Sequence, residues 1–198
     1  MRYWVIIILF IFLVACETNK SPTKIAAEPI IALQPLGTFP ESTTAALADS
    51  LQKALNCSII LLPARPLPKQ AYYKQRQRYR ADTLIKLAAI QSNTLSYRTV
   101  VYLTVKDVSH SNEQHHDFGI FGLGYQPGNG AVASTFRLRK HINSRLFKVV
   151  IHEIGHNAGL PHCTTSNCYM RDAHGKMIQD SLVAFCNACK PKLVHLRK

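Results

Sequence analysis

The sequence has 198 residues, with 24 Lys and Arg against 11 Asp and Glu, and a formal net charge of +13. This length provides for one domain with a hydrophobic core and is short for two. Because the basic residues are spread along the chain and no nucleic-acid-binding motif accompanies them, we predict a solvated basic surface and no nucleic-acid partner.

The N-terminus carries the features of an export signal. Arg2 precedes an apolar run from Val5 to Val14, which is shorter than the roughly 20 residues that span a bilayer. The sequence Leu-Val-Ala-Cys ending at Cys16 resembles a bacterial lipobox, which implies lipidation of Cys16. We therefore expect a signal peptide at 1–15 and a polar tether at 16–28, in an exported bacterial lipoprotein anchored to a cell-envelope membrane on its periplasmic or surface face. An ordinary signal peptide with a coincidental cysteine is the alternative.

The next part of the chain alternates between strand and helix patterns. Apolar runs at 29–36, 58–62 and 97–105 predict strands, the second of them buried. Apolar positions at helical spacing predict helices that begin near Pro40 and Arg80. This alternation favours a mostly parallel sheet backed by helices. Cys57, alone before the second strand, is expected to be a small core residue.

Residues 117–137 are rich in glycine and differ in character from the rest. Two short apolar runs are joined by Gln-Pro-Gly-Asn-Gly at 126–130, which predicts two short strands with a turn between them. After this segment, Asn143 or Ser144 can cap a helix that runs to about Asn157. Its predicted inner face consists of Leu146, Val149, Val150 and Ile154.

The end of this helix carries the pattern His-Glu-x-x-His-x-x-Gly-x-x-His at 152–162. His152 and His156 are four residues apart, so both imidazoles lie on one helix face and can bind one metal ion. Glu153 lies roughly 100° further round the helix, where it can reach a water molecule in an open metal position. Gly159 can adopt positive φ and end the helix, which returns His162 as a third nitrogen ligand. The pattern predicts a catalytic zinc site.

The residues that follow the motif indicate which protein family it resembles. The pattern resembles the metzincin signature, and the spacing of Met170 and four cysteines that follow resembles the archaemetzincin family. The resemblance implies an α/β (α+β) zincin-like fold: a mostly parallel twisted sheet with an antiparallel edge strand, backing helices and a small zinc-stabilised C-terminal subdomain. Met170 would be the Met-turn residue under the three histidines. Residues 117–137 are the candidate for the edge strand that pairs with substrate, and a plain surface hairpin is the alternative.

Cysteines close to the motif occur as two pairs. These residues are Cys163, Cys168, Cys186 and Cys189. Their spacing suits a structural zinc ion held by four thiolates. The alternative in an exported protein is two disulfides. The family resemblance implies zinc, and hence two zinc ions per chain, one catalytic and one structural. In either case a crosslink would hold a C-terminal piece with little core of its own.

These expectations define one function and one alternative. Residues 29–198 are expected to form a single metzincin-like catalytic domain with subdomains at 29–157 and 158–198. We expect a monomeric zinc-dependent peptidase that hydrolyses peptide or protein substrates by a metal-activated water, with Glu153 as general base. The alternative is a catalytically silent zinc protein of the same fold that binds peptides at the membrane.

Overall fold

The computed structural model describes residues 30–174, 176 and 178–196. The predicted signal peptide, the lipidation site Cys16 and the predicted tether lie outside the described residues. Within the part that is described, no helix is both long enough and apolar enough to cross a bilayer.

The described residues form three α-helices and nine strands. In order they are β1 (Ile30–Leu36), α1 (Glu41–Leu55), β2 (Ser58–Leu61), β3 (Tyr72–Tyr73), β4 (Arg78–Arg80), α2 (Ala81–Leu95), β5 (Thr99–Thr104), β6 (Val108–His110), β7 (Phe118–Ile120), β8 (Gly122–Gly124), β9 (Gly130–Ser134) and α3 (Ile142–Asn157). Short 3-10 turns occur at Lys69–Ala71, Lys74–Arg76, Gln179–Ser181 and Lys190–Leu196.

The main sheet has five strands in the order β2-β1-β5-β9-β8. Its first four strands are parallel, and β8 is an antiparallel edge strand. This arrangement confirms the predicted mostly parallel sheet and its antiparallel edge. The segment 117–137 supplies that edge, because β8 and β9 are joined through the predicted turn at 126–130. A second small sheet, with the order β3-β4-β6-β7, was not predicted.

Side chains that alternate along the central strands form two apolar clusters. Ile31 and Val101 face one cluster, which contains residues of α1 and α3, whereas Ala32 and Val100 face the other, which contains residues of α2. Successive residues of a strand point to opposite faces, so one sheet carries a helical layer on each side. The sheet thereby presents the end of α3 and the edge strand β8 to the same cleft.

Two local expectations were wrong and one was confirmed. The residue before α3 is His141, with φ of 50°, and no side chain caps the helix, so neither Asn143 nor Ser144 has the predicted capping role. Strand β2 is half-buried, with Leu61 47% exposed, because it pairs only with β1 and forms the outer edge of the sheet. Cys57 is buried as predicted, and its burial raises the pKa of the thiol to about 11.

Candidate metal centre and cleft

The last turns of α3 bring the first two motif histidines together. The Nε2 atoms of His152 and His156 lie 3.0 Å apart. Nitrogen ligands of a tetrahedral zinc ion lie roughly 3.3 Å apart, since each Zn–N bond is about 2.0 to 2.1 Å long. The four-residue helical spacing therefore places two nitrogens at a separation that fits one zinc ion.

A turn after α3 returns the third histidine to the same place. Gly159 has φ of 88°, as predicted, and its N–H donates to the carbonyl of His156 at 2.8 Å. The N–H of Leu160 donates to Gly155 at 3.0 Å. His162 then lies with its ring centroid 4.9 Å from that of His156, and one ligand atom from each of the three histidines lies within 4.8 Å of the others. The structure thus brings His152, His156 and His162 to a common point.

Backbone carbonyls fix the orientation of two of these rings. The Nδ1 atom of His152 lies 2.7 Å from the carbonyl oxygen of Tyr169, and that of His156 lies 2.8 Å from the carbonyl oxygen of Leu160. A carbonyl can only accept, so Nδ1 carries the proton and Nε2 presents its lone pair. His162 Nδ1 lies 3.4 Å from the carboxylate of Asp172, an ion-pair contact.

Electrostatics favours neutral imidazoles, the form that binds a metal. Burial, followed by the neighbouring His156, lowers the pKa of His152 to about 4. Burial is also the main reason why the pKa of His156 is lowered. Protons therefore compete weakly for these nitrogens at neutral pH. The donor set, its separation and its protonation all fit zinc.

Glu153 lies between the helix and the edge strand. It is only 7% exposed, and burial raises the pKa of its carboxyl to about 8 although the backbone of Gly124 acts in the opposite direction. A Cβ atom added at Gly122 would lie 2.9 Å from Glu153 Oε1, and one at Gly124 would lie 2.8 Å from the carbonyl oxygen of Glu153. Glycine at these two positions is what allows β8 to approach α3 so closely.

Asn157 attaches the hairpin of β8 and β9 to α3. Its side-chain N–H groups donate to the backbone carbonyls of Tyr125 and Gly130 at 2.9 and 3.1 Å, and its backbone carbonyl accepts from the N–H of Gly128 at 3.1 Å. This role of Asn157 was not predicted from the sequence. The sequence feature that could have indicated a role for Asn157 is its position directly after His156.

Met170 lies where the resemblance implied. Its side chain is fully buried, and its sulfur is against Gly155, which lies between the two helical histidines. Its carbonyl accepts from the N–H of Cys163 at 2.8 Å. Met170 therefore forms an apolar floor beneath the helical part of the centre.

The four C-terminal cysteines converge on a second point. Their sulfur atoms lie within 4.8 Å of one another, and all four are free thiols; the residues are Cys163, Cys168, Cys186 and Cys189. The sulfurs of Cys163 and Cys186 are 3.7 Å apart, close to the roughly 3.8 Å expected for tetrahedral zinc with Zn–S bonds of about 2.3 Å. Cys168 also accepts from the N–H groups of Met170 and Cys186, each at 3.4 Å.

A cleft of about 780 Å³ runs past the three histidines. Strands β7 and β8 form one wall, and residues 171–173 and 178–182 contribute to another. Glu153 and the histidines lie in this cleft, which is large enough for several residues of a peptide.

Several known proteins are similar to this chain in sequence and in fold. Residues 69–195 match the family model described as Peptidase family M54. Archaemetzincin from Archaeoglobus fulgidus is 32% identical over 168 residues, which cover 82% of this chain and 98% of the relative. The crystal structure of that archaemetzincin complexed with malonate matches with a TM-score of 0.70 and 29% identity, over 82% of this chain and 99% of the other. The structure of archaemetzincin from Methanopyrus kandleri matches with a TM-score of 0.73 and 26% identity, over 88% and 98%. The chain therefore belongs to the archaemetzincin family of zinc-dependent metallopeptidases.

Proposed function

We propose that this metallopeptidase hydrolyses peptide bonds with Glu153 as general base and with His152, His156 and His162 as the ligands of its catalytic zinc. The convergence of the three imidazoles beside the buried Glu153 is the observation that carries this proposal. Zinc, when bound, supplies a polarised carbonyl and a water of lowered pKa. The roles of the protein residues follow from their positions.

Glu153 moves the proton. Burial raises the pKa of Glu153, and a general base must be ionised; zinc, if held by the neighbouring histidines, would favour the carboxylate. In that form Glu153 accepts a proton from the attacking water and then donates it to the leaving amine. Glu153 is buried between α3 and β8 and lines the same cleft as the three histidines.

Strand β8 is proposed to hold the substrate backbone. It pairs with β9 on one side, and Gly122, Leu123 and Gly124 line the cleft on the other. An extended peptide can add to such an edge through backbone hydrogen bonds. Because the two glycines have no side chains, substrate can approach both the strand and Glu153.

The four-cysteine cluster is proposed to hold a second, structural zinc ion, which gives two per chain. The sulfur separation and the N–H donors around Cys168 support this assignment. The alternative of two disulfides predicts one zinc ion per chain. Metal analysis of the purified protein, before and after reduction, distinguishes the two.

Location at a membrane is proposed from the sequence alone. Lipidation of Cys16 would anchor a monomeric peptidase at the cell envelope and concentrate it with peptide or protein substrates there. Expression in a bacterial host with a radiolabelled fatty acid should label the wild-type protein. A Cys16→Ser variant that carries the same label would contradict the proposal.

Replacement of Glu153 tests the catalytic assignment. The Glu153→Gln variant keeps the shape of the side chain but cannot accept the proton, so kcat/KM should fall by about 10²- to 10⁴-fold. Bound zinc should remain at the wild-type level because Glu153 is not proposed as a ligand. Unchanged turnover would remove Glu153 from the mechanism, and a wild-type protein that binds peptides without cleaving any would favour the binding-module alternative.

A further inference from the structure

The cleft has an uneven distribution of charge. Three basic residues line it without a carboxylate within 4.0 Å among the described residues: Arg139, Lys148 and Arg171. The acidic residues that line it are Glu153 and Asp172. Glu153 is buried beside the histidines, and Asp172 lies 3.4 Å from both His162 and His174. Neither acid neutralises the basic side chains.

Other basic residues nearby are paired, which makes the three exceptions informative. Arg137 also lines the cleft, but it donates two hydrogen bonds of 2.9 Å to Asp107. Arg145 is bound by Asp180. The hydrogen bond from Arg145 is the main reason why the pKa of Asp180 is lowered, and Lys148 contributes only a smaller charge effect. Asp180 is therefore already engaged, and Lys148 has no hydrogen-bonded acid of its own.

The three basic residues without a carboxylate partner line the same cleft as the proposed zinc ligands. Lys148 precedes His152 by four residues on α3, so it lies one turn away on the same helix face. Arg171 directly follows Met170, and its side chain donates to the carbonyl of Thr164. Arg139 lies in the segment between β9 and α3. Positive charge thus approaches the centre from three separate segments.

From this arrangement we propose that the cleft selects peptides with an Asp or Glu side chain within about two residues of the scissile bond. The inference rests on the proposed peptidase function. Side chains four apart on a helix are about 6 Å from each other, and an extended peptide advances about 3.4 Å per residue. Charges in a cleft act through a lower effective dielectric constant than in bulk water, so an acidic side chain there is attracted strongly.

The overall charge of the protein provides a competing explanation. A net charge of +13 attracts any acidic peptide, wherever its acidic residue lies. The local explanation differs because the preference should depend on the position of the acid and on three particular side chains. A matched control removes the same number of charges elsewhere, at the exposed residues Lys53, Lys69 and Lys86, which do not line the cleft.

Binding to zinc-loaded Glu153→Gln protein tests the proposal without turnover. The probes are two fluorescent peptides that differ by Glu or Gln at one position near the cleavage site, and the readout is fluorescence anisotropy. We expect the Glu peptide to bind about fivefold more tightly. The ratio should fall below about twofold when Arg139, Lys148 and Arg171 are changed to Gln. It should stay near fivefold in the control triple variant.

A single variant keeps the test informative if the triple variant does not fold. Lys148→Gln alone should lower the ratio by about twofold, because this side chain makes no structural hydrogen bond among the described residues. Equal binding of the two peptides, or an equal loss in the control variant, would overturn the proposal. Wild-type cleavage is scored separately. Selective binding without cleavage would refute the peptidase function only, whereas equal cleavage with equal binding would refute only the acidic preference.

Discussion

The parts of the chain before and after residue 158 are stabilised in different ways. Residues 30–157 contain every strand and α-helix among the described residues, together with most of the two apolar clusters. Residues 158–196 contain two 3-10 turns and isolated bridges such as Cys163 with Arg171. Their buried side chains, including Leu160 and Leu193, pack onto the first apolar cluster and do not form one of their own. The first part depends on hydrophobic burial, whereas the second depends on its attachment to the first and, as proposed above, on a zinc ion held by the four cysteines.

Removal of one buried cysteine should have the largest effect on stability, and this effect should be confined to the second part of the chain. Cys168→Ser removes a sulfur from the four-cysteine cluster, and structural zinc binding contributes on the order of 10 kcal/mol in small metal-stabilised domains. We expect loss of one zinc per chain and rapid proteolysis after residue 158, while 30–157 stays folded. Cys57→Ser is the matched control, because Cys57 is also buried and free but lies outside the cluster. Equal zinc content in the two variants would contradict the second zinc site.

Truncation of a core leucine should have the next largest effect, in the first part of the molecule. Leu51 on α1 is fully buried, so Leu51→Ala should reduce the free energy of unfolding by about 3 kcal/mol. Zinc content should not change. Leu61→Ala is the control, because this residue is 47% exposed and its truncation should cost less than about 1 kcal/mol. Chemical denaturation monitored by circular dichroism measures both, and similar losses would show that burial does not govern this region.

Loss of an ion-pair network in the second sheet should have a smaller effect on stability, and this effect should depend on pH. Burial alone would raise the pKa of Asp117, but the neighbouring Ser109 and the charges of Arg80, Arg78 and Arg76 lower it. A lowered pKa stabilises the fold above the unfolded pKa of about 3.9, and this contribution is lost as the pH falls through the folded pKa. Asp117→Asn should therefore destabilise by about 2 kcal/mol at pH 7, and the difference should be smaller at pH 2.

Urea unfolding at the two pH values measures this difference. The exposed Asp49 on α1 provides the control, since Asp49→Asn should have little effect at either pH. A deficit of Asp117→Asn that persists unchanged at pH 2 would exclude its ionisation as the cause.

The smallest effect is expected at the junction between the two parts. Gly159 has φ of 88°, which costs a residue with a Cβ about 1 kcal/mol, so Gly159→Ala should be mildly destabilising and should weaken zinc binding through displacement of His162. Gly159→Asn should lose less, because asparagine tolerates left-handed backbone. Thermal unfolding and zinc titration check both. Equal behaviour of the alanine and asparagine variants would exclude backbone strain as the reason.

Sequence patterns predicted what depends on local spacing. The zinc motif, the turn at Gly159 and the order of the main elements could be predicted because each is set by neighbours within a few residues or by apolar periodicity. The paired cysteines and Met170 were placed by resemblance to a family. In these cases the signal lies within a short stretch of chain.

The remaining features depend on residues that are distant in sequence. Arg137 binds Asp107 across 30 residues, and Asn157 binds the carbonyl of Tyr125 across 32. Strands of only two or three residues form the second sheet, too short for an alternating pattern to be recognised. The exposed position of β2 likewise follows from strand order, because an apolar run looks the same at the edge and in the centre.

The carbonyl oxygen that orients His152 belongs to Tyr169, the residue after Cys168. The two proposed zinc sites are thus connected through one residue of the backbone. Loss of zinc from the four cysteines should make the Tyr169 carbonyl more mobile and lower the affinity of the three histidines for zinc. Loss of zinc from the histidines should have little effect on the cysteines, because α3 packs independently in the core. We therefore expect zinc to bind in sequence: the four-cysteine site fills first, and the three-histidine site then binds its ion more tightly.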